Sequence, residues 1–145
     1  FYLLKGKPVW LWNLVDLERL KWEGPDVLTP GKHTLEFDFK YDGLGAGTLA
    51  FNNFSGLGRP GTGTLKVDGK VVATKAMPKT LPMTLQWDES FDVGSDTLTG
   101  VNDADYKPPF VFTGKLDKLT IKVDRPQLSP ADIQKLEAAM KAAKD

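Results

Sequence analysis

Four aspartates, Asp92, Asp96, Asp103 and Asp105, crowd into one stretch, FDVGSDTLTGVNDADYKPPFVFTG, residues 91–114. Carboxylate oxygens are what calcium takes, about six to eight at a time, so this set is the chain's candidate metal site and calcium its candidate cofactor. The spacing is not that of an EF-hand, because no glutamate closes a twelve-residue loop. Two carboxylates facing each other across a cleft would also serve glycoside hydrolysis. The plainer alternative is that Asp92, Gly94, Asp96 and Thr97 fold a tight loop through side-chain to backbone hydrogen bonds.

Other chemistry is scarce. His33 is the one histidine and there is no cysteine, which leaves a Ser-His-Asp triad, a two-histidine zinc site, a thiolate nucleophile and a disulfide framework unsupported or impossible. His33 opens HTLEFDF, as a polar residue at a strand start or as a general base. Gly56, Gly58 and Gly61 spell G-x-G-x-x-G, but Pro60 interrupts them and the strand-like TGTLKVD follows. No helix N-terminus is expected there to receive a phosphate. Asn53-Phe54-Ser55 is a glycosylation sequon, meaningful only in a secreted eukaryotic protein. Trp10, Trp12 and Trp22 are the candidate ligand-binding residues: Trp10 and Trp12 share a face of one strand and Trp22 can join them. Such a group either packs a core or offers a flat platform on which a sugar stacks.

The elements that must position these residues follow from hydrophobic period. In HTLEFDFKY, Leu35, Phe37, Phe39 and Tyr41 alternate with Thr34, Glu36, Asp38 and Lys40, the pattern of a strand with one dry side. TGTLKVDGKVVATKA predicts two strands about Asp68-Gly69, a pair that accepts the positive φ angles of a type I′ hairpin turn. KPVWLWNL is apolar on both faces and suits a central strand. LERLKW fits a strand with Leu20 and Trp22 on one face, or a helical turn. Between it and His33, EGPDVLTPGK is turn chemistry. TLPMTLQWDES alternates Leu81, Met83, Leu85 and Trp87. FVFTGKLDKLTIKV alternates Phe110 and Phe112, then Leu119, Ile121 and Val123, with a bend expected at Gly114.

The one expected helix is LSPADIQKLEAAMKAAKD, with Ser129 as cap, Pro130 in the first helical position, and Ile133, Leu136 and Met140 along one stripe. Short strands with turn signals between them and a helix only at the end predict an all-β fold, an antiparallel two-sheet, jelly-roll-like β-sandwich over residues 1–128 followed by a C-terminal helix over 129–145.

The chain has 145 residues, enough for one domain with a real core, and its nineteen basic residues balance nineteen acidic ones. No overall field therefore favours nucleic acid or an anionic membrane as partner. No apolar run approaches the about 20 residues that cross a bilayer, and no signal-peptide pattern is evident. The opening FYLLKGKPVWLWN, without an initiator methionine, is expected of a processed product or of a piece of a longer protein.

Five segments taken in order, KGKPVWLWN, LERLKWEGPDVLTPGKHTLEFDFKYDGLGAGTL, GTGTLKVDGKVVA, FDVGSDTLTGV and PPFVFTGKLDKLTIKV, resemble the C-terminal region of bacterial arylsulfatases over residues 5–123. In that family a formylglycine, made from the first residue of a Cys- or Ser-x-Pro-x-Arg motif, works with calcium in the N-terminal domain. No such motif occurs here: Ser129-Pro130 has its proline one position early, and Ser55 reaches Arg59 without one. The resemblance therefore implies a non-catalytic accessory domain with no cofactor of its own beyond the calcium considered above. Its partner would be a sulfatase catalytic domain in the same or a separate chain, in a periplasmic or secreted setting. A stand-alone carbohydrate-binding module is the competing expectation. Relative to the family, the Gly-rich connection is lengthened by TLAFNNFSGLGRP.

Overall fold

The computed structural model describes residues 1–42, 60–80, 90–124 and 129–142. The fold is all-β, built of antiparallel sheets with one helix. One sheet holds β1 (Tyr2–Leu4), β2 (Lys7–Leu14) and β3 (Glu18–Glu23), in that order; a second holds β4 (Leu35–Tyr41), β5 (Gly61–Val67) and β6 (Lys70–Met77); β7 (Ser95–Asp96) and β8 (Phe110–Val111) form a short third pair. The helix α1 (Pro130–Ala142) closes the described chain. The predicted strand at Leu81–Trp87 and the Gly-rich stretch 43–59 lie outside the described residues.

Tight turns with left-handed residues set the registers. Asp68 and Gly69 adopt φ of 50° and 79° between β5 and β6, the I′ geometry that an Asp-Gly pair favours. Lys5 and Gly6, at 49° and 82°, do the same between β1 and β2. The turn from β2 to β3 is costlier, because Val15 (38°) and Asp16 (64°) occupy a region that a β-branched residue avoids. Asn13 holds that turn: its Oδ1 accepts from the Asp16 amide at 2.8 Å and its Nδ2 donates to Asp16 Oδ1 at 3.0 Å. The Leu17 amide closes it on Leu14 O at 2.8 Å. The β4–β5 pairing is antiparallel, since the Asp68 amide bonds Thr34 O at one end and the Asp42 amide bonds Pro60 O at the other.

The chain divides into two compact units. The first comprises Phe1–Phe37, Thr64–Thr74 and Gln86–Ile121. In it, register places Tyr2, Val9, Leu11, Lys21 and Glu23 on one face of the first sheet, and Trp10, Trp12, Leu20 and Trp22 on the other. Pro8, Val9, Trp22 and Leu65 are fully buried and Leu11 nearly so. Phe37 of β4 stacks flat on Trp10, ring centroids 4.1 Å apart and planes 11° off parallel, and meets Trp22 edge-on at 5.1 Å. Those three rings form an aromatic cluster of which Trp22 is the fully buried member.

The second unit comprises Asp38–Gly63, Lys75–Leu85 and Lys122–Asp145. Met77 and Gly61 are buried in it. A Cβ on Gly61 would collide with the Phe39 ring and lie 2.7 Å from Lys40 O, so only glycine lets β4 and β5 approach this closely there. In α1 the Ile133 amide bonds Ser129 O at 3.0 Å, which seats Ser129 at the cap and Pro130 in the first turn.

One expectation is corrected. The alternation of Leu119, Ile121 and Val123 predicts a strand, but beyond β8 no residue through Asp124 enters a ladder among the described residues, and these three are exposed. Alternation records which side chains share a face; a strand also requires a neighbour whose backbone groups complete the ladder. Gly114 does mark a bend, with the Phe112 ring folded over it so that a Cβ would meet that ring at 2.5 Å.

Two substitutions test this core and this turn. Trp22→Ala removes the largest fully buried side chain and is expected to lower unfolding free energy by about 3–5 kcal/mol. Val15→Gly relieves a strained backbone at an exposed position and is expected to raise it by about 1 kcal/mol. Chemical denaturation followed by tryptophan fluorescence measures both.

Candidate functional site

The aspartate-rich segment becomes a fastened loop rather than a cage. Asp92 closes its own turn: Ser90 Oγ donates to Asp92 Oδ1 at 2.5 Å, and the amide and hydroxyl of Thr97 both donate to Oδ2 at 2.9 Å. Those donors hold the Asp92 carboxyl below the usual carboxylate range, the Ser90 hydroxyl contributing most. Gly94 takes φ 80° within the turn, and its carbonyl accepts from the Phe112 amide at 2.9 Å. The local loop that Asp92, Gly94 and Thr97 suggest in the sequence is therefore formed.

Asp96 and Asp105 reach farther. The Tyr106 hydroxyl donates to Asp96 Oδ2 at 2.5 Å and accepts from the Val101 amide at 3.2 Å. The Tyr2 hydroxyl, on β1, donates to Asp105 Oδ2 at 2.5 Å, and Lys21 Nζ, on β3, lies 3.0 Å from the same oxygen and 3.1 Å from Glu23. Tyr2 and Tyr106 rings pack 5.3 Å apart. Asn13 Nδ2 donates to Val101 O at 2.9 Å. All four sheet residues, Tyr2, Asn13, Lys21 and Glu23, sit on the face of the first sheet that also carries Val9 and Leu11. The loop is thus tied down over that face.

The electrostatics suit fastening. Burial and the Asp96 carboxylate push the Tyr106 phenol up to about 12, and burial with Asp105 raises that of Tyr2 still further, so both stay neutral donors. Burial alone would raise the Asp105 carboxyl, but hydrogen bonds from Tyr2, Lys21 and Asn102 outweigh it and hold the group ionised below its ordinary range. Asp103 is exposed, with its Oδ1 beside buried Gly100. Among the described residues no three of His, Asp and Glu converge as metal ligands would. The four aspartates are spread along the loop, three of them already engaged by hydroxyl, amide or ammonium donors.

The tryptophans divide. Trp22 is fully buried and cannot stack on a ligand; Trp10 is sandwiched in part by Phe37 and met edge-on by Phe1 at 5.6 Å. Trp12, paired with Leu20, is half-buried. Core packing accounts for Trp10 and Trp22, and the platform of three rings is not formed.

His33 is pinned at both nitrogens, by Asp68 Oδ2 at 2.8 Å on Nδ1 and by Thr29 O at 2.8 Å on Nε2. Neither nitrogen is left to take a proton from a substrate, so the polar strand-start role prevails over that of a general base. Sequence reasoning missed Tyr2, Asn13, Lys21, Phe37, Asp68 and Tyr106 as partners. Only the Asp-Gly turn carried a signal for any of them; the Tyr2–Asp105 bond joins residues 103 apart in the chain.

Several apolar side chains of the segment are exposed: Phe91 is 77% exposed, Val111 68% and Ile121 65%, with Leu98, Leu116 and Leu119 more than half exposed. Compared with family models, curated proteins and solved structures, the chain matches none.

The network makes an acid-side prediction. Asp105 ionises more readily folded than unfolded, so its stabilisation is present above the ordinary carboxylate value of about 3.9 and is lost as pH falls through the lower folded value. Tyr2→Phe removes the donor, is expected to cost about 2 kcal/mol at neutral pH, and should move the acid-unfolding midpoint upward. Acid titration followed by near-ultraviolet circular dichroism, with Tm at pH 7, reads both.

Proposed function

We propose that this chain is a non-catalytic accessory domain of an arylsulfatase-like sulfuric ester hydrolase, packing on a catalytic domain and placing loops near its active-site mouth. The five ordered segments that resemble the arylsulfatase C-terminal region support it, as does the lack of a Cys- or Ser-x-Pro-x-Arg motif in the sequence. The single observation that carries it is the loop of residues 91–121, tied to the first sheet through Asp105 and Val101 and braced internally by Asp96, while Phe91, Leu98, Leu119 and Ile121 are exposed. Fixing a loop costs conformational entropy, and a fixed loop with an apolar outer face is pre-organised for a partner. The periplasmic or secreted setting belongs to the same proposal. Among the described residues no helix is long and apolar enough to cross a membrane.

The competing reading, a carbohydrate-binding module, retains Trp12, half-buried and with no ring stacked on it among the described residues, since Trp22 is buried and Trp10, equally half-buried, is stacked on Phe37. Calcium would have to displace donors that Asp92, Asp96 and Asp105 already hold.

Titration of the purified chain against an arylsulfatase catalytic domain that lacks its own C-terminal region, followed by calorimetry, is the test. Saturable association is expected, and Phe91→Glu with Ile121→Glu should weaken it tenfold or more while Tm changes little, because exposed substitutions are worth about 0.5 kcal/mol or less. Turnover of an aryl sulfate by the isolated chain would sink the proposal. So would association that ignores the double substitution, or binding on a glycan array abolished by Trp12→Ala.

A further inference from the structure

The two closest partners of His33 are acceptors, and the Thr29 hydroxyl lies farther from Nε2, at 3.5 Å. Nδ1 faces Asp68 Oδ2 at 2.8 Å and Nε2 faces Thr29 O at 2.8 Å. A backbone carbonyl has no proton to give. Asp68 is an ionised carboxylate, held below the usual range first by the Thr34 amide on Oδ1 at 2.8 Å and then by His33 itself. A neutral imidazole carries one N–H and can serve one such acceptor; two acceptors require the imidazolium. The ring is 19% exposed at its side chain, so solvent can take its proton.

The two acceptors belong to different elements of the first unit. Asp68 is the left-handed first residue of the β5–β6 turn, and Thr29 lies in the connection of residues 24–34 that leads from β3 to β4. The first half of that connection is secured without the ring, by the Gly24 amide on Pro8 O and the Leu28 amide on Gly6 O, both at 2.9 Å. The second half, Thr29 to Lys32, is held by the histidine and by the Lys32–Asp117 ion pair at 3.0 Å on the surface, a weak tie at high exposure. His33, Asp68 and Thr29 together bound one part of a cleft of about 290 Å³ whose apolar walls are Pro8, Val27, Leu28, Val67 and Val72.

We propose that His33 is a proton-dependent latch: as imidazolium it clamps Thr29 to the β5–β6 turn, and when Nε2 gives its proton to solvent it releases Thr29 and lets that side of the cleft open. The Nδ1 proton is the one retained, because it faces a carboxylate rather than a neutral carbonyl. Asp68 is the charged group in contact with the ring; Lys70 and Asp26 line the same cleft, and Lys32, next to His33 in the chain, pairs with Asp117. Asp68 dominates, being in direct contact, and with Thr29 it draws the imidazole above its ordinary range. The sign follows: the clamp is intact below the ordinary imidazole value of about 6.5 and is lost as pH rises through the elevated folded value.

The chain has one histidine, so its ring protons can be titrated by NMR without ambiguity, alongside the backbone amides of Gly31 and Lys32. In the native sequence the ring is expected to titrate above about 6.5, with the Gly31 and Lys32 amides shifting and gaining mobility at the same midpoint as pH rises. Asp68→Asn is the decisive variant. Asparagine suits the left-handed turn position as well as aspartate does, it keeps an oxygen for the Thr34 amide, and it presents an N–H to Nδ1, so a neutral His33 can donate to Thr29 O. The pH response should therefore invert: the Asp68→Asn protein stays latched at alkaline pH and opens on acidification, with a ring midpoint about one unit or more below the native one. A native midpoint at or below about 6.5, amides indifferent to the ring's titration, or an Asp68→Asn protein that opens in the same direction as the native one would overturn the latch. Near-ultraviolet circular dichroism from buried Trp22 verifies that each form is folded throughout.

Discussion

β2 must be covered on both faces, and most of the first unit follows from that requirement. Its residues are apolar in both phases, so a strand at the rim of a sheet, or a sheet wet on one side, would leave Val9 and Leu11 or Trp10 and Trp12 in water. Burying either set is worth several kcal/mol, since each large side chain contributes about 1.5–3 kcal/mol. One face is met by Phe37, which stacks on Trp10 and abuts Trp22. The other is met by the segment after residue 90, which has no long strand of its own and is held by point contacts, Tyr2 to Asp105, Lys21 to Asp105 and Asn13 to Val101.

That division explains the use of aspartate. A loop without a ladder leaves backbone groups and its own position unsatisfied, and short acidic side chains can bond local amides and reach neighbouring hydroxyls. Asp92 does the first, Asp96 and Asp105 the second. A carboxylate that accepts from a half-buried tyrosine and a lysine is ionised, directional and specific, which suits it to setting where a segment lies.

Much of the local structure is legible in the sequence because its causes are local. The alternation in HTLEFDFKY, the two-faced apolar run of β2, the Asp68-Gly69 turn and the Ser129-Pro130 helix start each depend on a few consecutive residues, and each is present. β1 and its Lys5-Gly6 turn escape such a reading, since three residues are too few to show a period and lysine is an unusual left-handed residue. The stretch 117–123 reads falsely as a strand because its alternation has no neighbouring strand among the described residues. Of the candidate site, the tight loop about Asp92 can be read and the tyrosine partners cannot. Neither Tyr2 nor Tyr106 has a sequence feature that distinguishes a fastener from any other aromatic, and the contact joining Tyr2 to Asp105 is a product of topology.

The unladdered run after β8 also bears on how the chain behaves in concentrated solution. Residues 115–123 keep an alternating apolar register and enter no ladder among the described residues, the kind of segment on which like segments add edge to edge into fibrils. With nineteen charges of each sign the molecule has no net repulsion to hold copies apart. The restraint is local: Lys115, Lys118 and Lys122 interrupt the run, and stacking identical copies in register would align each ammonium with its own kind. Neutralising those three lysines would remove the gatekeepers and leave an adhesive edge.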